Sequence, residues 1–318
     1  MNNVIVIVGP TGTGKSRLAL TLAQKNNGIL ISADSRQVYK HADVGTNKTP
    51  LPEDEIKSLN KNDGMWEVNG IAIYGYDIVT PAEKFSVHDF VSFGSEIILQ
   101  KSYNSPIYIV GGTGFYIDAL LGLQPFSVTK PDNNLRDEYK NLSLEMVQDE
   151  LVQLDPDGFS KLNQSDRNNK QRLIRFIELA REHGSIEKAK MYSPLKDTVS
   201  FQKIGLTQSS EIMHEQVNSW VDLICIGELQ SEVEDLLARG YRKSALLTGI
   251  IYEPMVRCVD GTLELNEAKN VIKEQIRQYI KRQYTWFRRD SSTHWIDVSK
   301  EAFDHEVYKL LEFNTYES

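Results

Sequence analysis

The sequence predicts an α/β protein in which a parallel sheet flanked by helices carries a phosphate-binding loop, with a small all-helical inserted domain. A β-branched run at 4–8 leads into the pattern Gly-x-x-x-x-Gly-Lys-Ser at 9–16 and then into an amphipathic helix. Two later apolar runs, 29–31 and 107–110, also end in polar turns. From about 131 to 183 the pattern is helical instead. These observations predict a sheet whose chain is interrupted by a helical segment.

Length and composition agree with a two-part chain. At 318 residues it exceeds the usual size of one domain, and we divide it into core 1–125, helical insertion 126–200 over the active site, and core completion 201–318. Hydrophobic and charged contents of 40% and 25% are typical of soluble globular proteins. No apolar run approaches the ~20 residues that span a membrane, and no secretory signal is visible. The two cysteines are too few for a disulfide framework, which suits a reducing cytoplasm.

The loop at 9–16 predicts a diphosphate site. Its backbone N–H groups, the positive end of the following helix and the Lys15 ammonium would all meet a bound diphosphate. The eight residues expected to bind it are Gly9, Pro10, Thr11, Gly12, Thr13, Gly14, Lys15 and Ser16. Because most such loops bind ATP or GTP, the pattern alone leaves the identity of the diphosphate open.

Polar turns at the ends of the three apolar runs predict a single site, since ligands of doubly wound sheets collect at the carboxyl ends of the strands. A nucleotide hydrolase would carry a strand-end Asp to hold Mg²⁺ opposite the loop Ser, and none is convincing. The carboxylate at a strand end is Asp34, whose neighbours Ser35, Arg36 and Gln37 can hydrogen-bond a substrate. This setting favours proton abstraction from a base or amine. A kinase stays possible at this stage, and the turn at 111–114 alone is as readily an ordinary Gly-rich loop.

Two other segments carry positive charge. In the insertion, Asp132, Ser143 and either Asn168 or Asn169 would cap helices, and the last helix, ending at Gly184, leaves Gln171, Arg172 and Arg175 on its polar face. On spacing alone a solvated face is the favoured interpretation.

Near the end of the chain, Lys269, Lys273, Arg277 and Lys281 recur every four residues, with aromatic side chains following. Such a stripe suits a phosphate backbone, although a solvated surface helix explains it equally well. The net charge of −8 does not decide, because binding depends on where the positive charge sits.

Five motifs together resemble the tRNA dimethylallyltransferase family. They are Gly-Pro-Thr-x-x-Gly-Lys-Ser at 9–16, Ile-Ser-Ala-Asp-Ser-Arg-Gln-Val-Tyr at 31–39, Val-Gly-Thr-x-Lys at 44–48, Val-Gly-Gly-Thr-Gly-x-Tyr at 110–116 and Arg-Gln-Tyr-x-Lys-Arg-Gln-x-Thr-Trp-Phe-Arg at 277–288. The resemblance runs nearly from end to end. It is specific because Asp-Ser-Arg-Gln rarely follows a phosphate loop at this distance.

The resemblance implies transfer of a dimethylallyl group from its diphosphate to N6 of the adenosine 3′ of the anticodon, tRNA position 37. It implies Asp34, Lys15 and Thr113 as catalytic residues, Mg²⁺ held through Ser16, and the tRNA anticodon stem-loop as partner of a cytoplasmic monomer. Implied tRNA contacts are Asp34, Ser35, Arg36, Gln37, Thr113, Arg136, Gln171, Arg172, Arg175, Lys273, Arg277 and Lys281. The alternatives are a small-molecule transferase or kinase, such as an adenylate isopentenyltransferase, and a paralogue that binds RNA with little turnover; ATP also remains a possible occupant of the loop.

The chain departs from the family pattern at four places. Relatives carry a His-His pair before Leu-Ile-Asp where this chain has Ile73-Tyr74-Gly75-Tyr76-Asp77, and Ile-Gly-Tyr-Lys-Glu where it has residues 249–253. An Asn-Asp pair becomes Asn168-Asn169, and an Arg expected near Ser219–Trp220 is missing. The departures predict a diverged paralogue with weaker or altered RNA contacts.

Overall fold

The computed structural model describes residues 4–312, and these form one eight-stranded sheet with helices. The strands are β1 (Val4–Val8), β2 (Ile29–Ser32), β3 (Leu59–Asn62), β4 (Met65–Val68), β5 (Ile71–Tyr74), β6 (Ile107–Val110), β7 (Phe201–Thr207) and β8 (His294–Asp297). Their order across the sheet is β3-β4-β5-β2-β6-β1-β7-β8. The predicted α/β class is confirmed.

Six neighbouring strands, from β5 to β8 across the sheet, are parallel, and β3 and β4 add an antiparallel edge. The sheet is therefore mixed rather than wholly parallel. In register, Ile109 of β6 lies between Val6 of β1 and Ile31 of β2. Because these three strands run side by side in one direction, the turns that follow them meet at one edge of the sheet.

Strand β7 has no counterpart among the sequence predictions, although it pairs with β1 along five residues. Its first half contains Gln202 and Lys203, which interrupt the apolar pattern that indicates a buried strand. Lys203 is nevertheless buried, because its ammonium pairs with Asp118 at 3.3 Å and Asp290 at 2.7 Å.

The helices fall into two compact units. One unit comprises the chain up to Leu120 and from Asp197 onward, and the other runs from Leu121 to Lys196, whereas the sequence predicts the insertion at 126–200. The first unit holds α1 (Lys15–Asn26), α2 (Val87–Lys101), α3 (Gly114–Leu120), α9 (Ser210–Ile224), α10 (Glu228–Ala238), α11 (Tyr252–Val259), α12 (Leu265–Phe287) and α13 (Phe303–Glu312). The second holds α4 (Asn133–Tyr139), α5 (Leu144–Leu154), α6 (Pro156–Ser160), α7 (Gln164–Arg167) and α8 (Lys170–His183).

Each unit has its own buried core. In the first, Ile272, Ile276 and Ile280 of α12 are buried against α9, α10 and α11, as their spacing predicts. In the second, helices α4, α5 and α8 enclose a separate apolar cluster. Within the described residues, no helix is long and apolar enough to cross a membrane.

Helix ends in the second unit follow the sequence signals. The side chains of Asp132, Ser143 and Asn169 each accept a hydrogen bond from a backbone N–H of the helix they precede. Gly184 ends α8 with φ 81°, the left-handed conformation that glycine adopts without strain.

Candidate active site

The loop between β1 and α1 is closed on the carbonyl of Pro10. The Thr13 hydroxyl donates to this oxygen at 2.9 Å, and the Lys15 ammonium donates to it at 2.6 Å. These two contacts hold the loop in a curved conformation, which anion binding by successive backbone N–H groups requires.

The N-terminus of α1 begins without the side-chain partners that commonly satisfy the start of a helix. Gly14 precedes the helix without a side-chain cap, and the first turn contains no acidic residue. By contrast, α2 begins with a full capping box made by Ser86 and Asp89. A helix that starts without such partners can offer its free N–H groups and its dipole to a bound anion.

Two turns converge beside this loop. After β2, the N–H of Ser35 donates to the Thr113 hydroxyl at 3.1 Å, and after β6 the N–H of Thr113 donates to the Ala33 carbonyl at 3.2 Å. The turns approach so closely that a Cβ on Gly111 would lie 2.1 Å from the Ala33 carbonyl oxygen, so only glycine fits there. The three predicted strand-end turns are thus adjacent.

Together the turns and the loop enclose a pocket of about 200 Å³. Its lining includes Thr11, Lys15, Ser16, Asp34, Gln37 and Gly112. Five of the eight predicted diphosphate-binding residues therefore share one cavity of the first unit with Asp34; they are Thr11, Gly12, Gly14, Lys15 and Ser16.

Asp34 is the carboxylate of this pocket. Burial raises its pKa, while N–H groups of Arg36 and Gln37 and the charges of Arg36 and Lys15 oppose the rise. The N–H of Arg36 donates to Asp34 Oδ1 at 2.8 Å, which orients the carboxylate. A carboxylate with a raised pKa is a better proton acceptor than an exposed one.

Lys15 shows the opposite shift. Burial lowers its pKa to about 8, although the negative charge of Asp34 acts to raise it. Its ammonium is therefore held in a setting where a second anion would be strongly favoured.

The donor set suits a magnesium ion only when a diphosphate supplies oxygens. Among the described residues, no group of three or more His, Cys, Asp or Glu side chains could hold a metal ion. The Ser16 hydroxyl lines the pocket, and a hard oxygen ligand of this kind fits Mg²⁺, which keeps several waters and binds substrate phosphates.

Arg36 and Gln37, predicted to position the substrate, also make structural contacts. Gln37 accepts from the Ser32 hydroxyl at 2.6 Å and donates to the carbonyls of Thr46 and Asn47. Arg36 donates to the carbonyl of Ala245 at 2.7 Å. Both residues thus tie the turn after β2 to more distant loops.

Two residues that the sequence did not single out for a site stabilise the loop 43–50, part of which lines the pocket. Glu232 of α10 accepts the N–H groups of Asp43, Val44 and Gly45 at 2.6, 2.7 and 2.9 Å, and the Tyr252 hydroxyl at 2.8 Å. The fully buried Lys48 donates to the Tyr39 carbonyl and pairs with two carboxylates. Tyr252 lies in the divergent segment 249–253, and this segment therefore contacts Glu232.

The divergent segment at 73–77 also packs within the core. Tyr76 lies edge-on to Trp66, with ring centroids 5.2 Å apart. Asp77 accepts from the Trp66 indole N–H at 2.6 Å and is one of the carboxylates paired with Lys48.

In the second unit, the predicted tRNA contacts Arg136 and Arg175 share one buried carboxylate. Arg136 and Arg175 bind Glu178 at 2.7 and 2.8 Å, and the two arginines lower the pKa of that carboxyl against the effect of burial. Arg172 pairs with Asp166, and Gln171 is exposed. Through Glu178, Arg136 of α4 therefore joins the polar face of α8 that carries Arg175.

The predicted stripe on α12 is only partly open to solvent. Lys273 pairs with Asp222 of α9 at 2.7 Å, and Arg277 donates to Asn218 at 2.9 Å. The Lys269 and Lys273 side chains are 17% and 16% exposed, whereas Lys281 and its neighbour Arg282 are exposed. The four cations are therefore unevenly exposed along the stripe, because its first members face α9 and Lys281 faces solvent.

Tyr279 and Gln283 of α12 face the site and were not assigned to it from the sequence. Burial and Asp34 raise the pKa of Tyr279 to about 12, and its hydroxyl interacts with Thr113 and Gln283. Gln283 was detectable as a polar residue at the buried position that follows Ile272, Ile276 and Ile280 on one helix face.

Family models match nearly the whole sequence. A model described as IPP transferase matches residues 37–290, and one described as isopentenyl transferase matches residues 2–62. The chain belongs to the IPP transferase family.

Relatives of this family agree along their full length. A tRNA dimethylallyltransferase of Acetivibrio thermocellus is 35% identical over 98% of this chain and 97% of its own length. A tRNA isopentenylpyrophosphate transferase structure from Bacillus halodurans has a TM-score of 0.69 at 28% identity, covering 99% of this chain and 96% of its own. One from Staphylococcus epidermidis has a TM-score of 0.68 at 26% identity and covers 100% of both chains. The predicted enzyme class, a prenyltransferase that modifies tRNA, is confirmed.

Proposed function

We propose that this protein transfers the dimethylallyl group of dimethylallyl diphosphate to N6 of the adenosine at tRNA position 37. The observation that carries the proposal is the pocket in which Lys15 and Ser16 of the phosphate loop face Asp34. One wall suits a diphosphate leaving group, and the other suits an amine that must lose a proton.

In this reaction the bond between C1 of the allyl group and the diphosphate oxygen breaks, and its electron pair leaves with pyrophosphate. Negative charge grows on the leaving group as it departs. The loop N–H groups, the N-terminus of α1 and the Lys15 ammonium would oppose that charge where it develops. A Mg²⁺ ion bound through Ser16 and the diphosphate would add Lewis-acid stabilisation.

The adenosine N6 lone pair forms the new bond to C1. The proton that N6 loses passes to Asp34, whose raised pKa fits the role of general base. The Thr113 hydroxyl accepts from the N–H of Ser35, the residue after Asp34, and the charge of Asp34 acts on Tyr279. We propose that Thr113 orients the adenine.

The acceptor would be a base of the anticodon loop. A base in a duplex stack cannot reach a cavity of about 200 Å³, whereas a loop base can leave its stack at small cost. Exposed cations Lys281 and Arg282, with the polar face of the helical unit, would then bind the phosphates of the stem-loop. We propose that the enzyme acts as a monomer in the cytoplasm, where both its free cysteines would stay reduced.

Purified protein incubated with dimethylallyl diphosphate, Mg²⁺ and an anticodon stem-loop tests the proposal. After digestion to nucleosides, mass spectrometry should show an adenosine whose mass has increased by C5H8. This product should form only when position 37 is adenosine. Two parallel reactions examine the alternatives. In one, AMP replaces the stem-loop as acceptor; in the other, ATP replaces dimethylallyl diphosphate. Prenylation of AMP at equal efficiency, or turnover of ATP without tRNA, would contradict the proposal.

A further inference from the structure

Gln283 is a buried amide on a helix face that is otherwise apolar. It continues the line of Ile272, Ile276 and Ile280 on α12 and is 4% exposed. A buried amide is costly unless both its oxygen and its nitrogen have partners. The partners of Gln283 lie on two different loops of the pocket.

The amide bridges those loops. Oε1 of Gln283 accepts the N–H of Thr11 in the phosphate loop at 3.0 Å, and Nε2 donates to the carbonyl of Gly112 at 3.1 Å. Its orientation follows from the partners, because an N–H must meet oxygen and a carbonyl must meet nitrogen. One side chain therefore joins the turn after β1 to the turn after β6.

The turn after β6 is shaped to admit this side chain. A Cβ on Gly112 would lie 2.0 Å from Nε2 of Gln283, so any larger residue would displace the amide. Tyr279 approaches the same carbonyl, with its hydroxyl 3.4 Å away. A glutamate would set an oxygen against the Gly112 carbonyl, and a methionine would leave both loop groups without a partner.

We propose that Gln283 is a positioning residue that holds the phosphate loop at the separation from the Gly111–Gly114 turn at which it binds the donor's diphosphate. The inference rests on the proposed function, since it assigns the diphosphate to this loop. Because the Thr11 N–H is engaged by Gln283, the diphosphate would use the N–H groups that follow it in the loop.

The test measures binding of Mg²⁺-pyrophosphate by calorimetry to Gln283→Met and Gln283→Glu. Matched controls are Gln278→Met and Gln278→Glu, which make the same changes at an exposed position of α12. We expect Gln283→Met to raise the Kd roughly 10- to 100-fold, because the Thr11 N–H and the Gly112 carbonyl would both lose their buried partner. The KM of Gln283→Met for dimethylallyl diphosphate should rise in parallel, while its Kd for the stem-loop stays within twofold of wild type. The two Gln278 controls should bind Mg²⁺-pyrophosphate with a Kd within twofold of wild type.

Gln283→Glu adds a pH readout that a purely structural role would not show. A protonated Glu has one donor and one acceptor, like the amide, and burial favours this form. The ratio of its Kd to that of wild type should therefore fall as the pH is lowered from about 8 to about 6.

Three results would overturn the inference: pyrophosphate affinity of Gln283→Met within twofold of wild type, a pH-independent ratio for Gln283→Glu, or Gln283 variants that melt below the assay temperature. Failure of the proposed function is distinguishable, because it would show in the wild-type protein as binding without transfer to the stem-loop.

Discussion

Lys15 combines a positive charge with an environment that weakens it. Burial lowers its pKa to about 8, and its ammonium donates a hydrogen bond to the Pro10 carbonyl. A bound diphosphate would favour the charged form and raise the pKa again. Protonation of Lys15 and diphosphate binding are therefore coupled.

From this coupling we expect pyrophosphate affinity to fall as the pH rises through about 8, by at most tenfold per pH unit because one proton is linked. At about pH 9, binding should take up a proton, which calorimetry in buffers of different ionisation enthalpy detects. Lys15→Arg should lose this dependence, since a guanidinium stays charged. Equal proton uptake in Lys15→Arg would assign the titration to another group.

Single residues differ in how far the sequence could predict them. Asp34 and Lys15 stand in short motifs at strand ends, so local pattern was sufficient to bring them together. Gln283 accepts the N–H of Thr11, which is 272 residues earlier in the chain. Glu232 accepts the N–H of Asp43, which is 189 residues earlier. Their partners depend on tertiary packing, which periodicity alone does not specify.

At the scale of elements, α12 both packs and carries charge. Its buried isoleucines were predictable from their spacing, but the direction of its cations was not. Asp222 and Asn218 of α9 bind Lys273 and Arg277, because the stripe rotates from the α9 interface to solvent along the helix. Strand β7 was missed for a related reason, since the ion pairs of Lys203 allow a charged residue in a buried strand.

This arrangement predicts two classes among the α12 cations. Lys281→Ala with Arg282→Ala should weaken stem-loop binding and reduce the slope of log Kd against log salt by about two units, roughly one per phosphate contact. Lys273→Ala with Arg277→Ala should change the slope by less than about half a unit, because these groups are already paired with α9. Lys57→Ala, at an exposed position just before β3, serves as control.

Filter binding across a salt series measures these slopes. An unaltered slope in the Lys281/Arg282 variant, or an equal loss in the Lys273/Arg277 variant, would contradict the division. The second result would restore the stripe that the sequence predicts.

At the scale of the whole molecule, the chain leaves one compact unit and returns to it after a helical unit with its own core. The two ends of the helical unit lie together, since a Cβ on Gly122 would be 2.8 Å from the Cα of Lys196. All pocket residues belong to the other unit. Diphosphate binding should therefore not require the helical unit.

Replacing 121–196 by a short Gly-Ser linker tests this separation. We expect calorimetry to show Mg²⁺-pyrophosphate binding within about fivefold of wild type, because the pocket and its supporting residues remain. Transfer to the stem-loop should be lost, since the polar face containing Arg136 and Arg175 is removed. Full-length Arg136→Ala with Arg175→Ala is the matched control, with intact pyrophosphate binding and weakened stem-loop binding. Transfer at the wild-type rate by the shortened protein would show that tRNA recognition does not require the helical unit.

In the proposed mechanism, Asp34 takes the proton of the adenosine amine while the phosphate loop holds the leaving group. Asp34→Asn keeps the size and polarity of the side chain but cannot accept that proton as a base. Single-turnover transfer to the stem-loop, with saturating dimethylallyl diphosphate, measures the chemical step directly. We predict a fall of roughly 10²- to 10⁴-fold, the usual range for loss of a general base, with little change in the Kd of either substrate or in the melting temperature. A normally folded Asp34→Asn variant that transfers at near wild-type rate would contradict the mechanism.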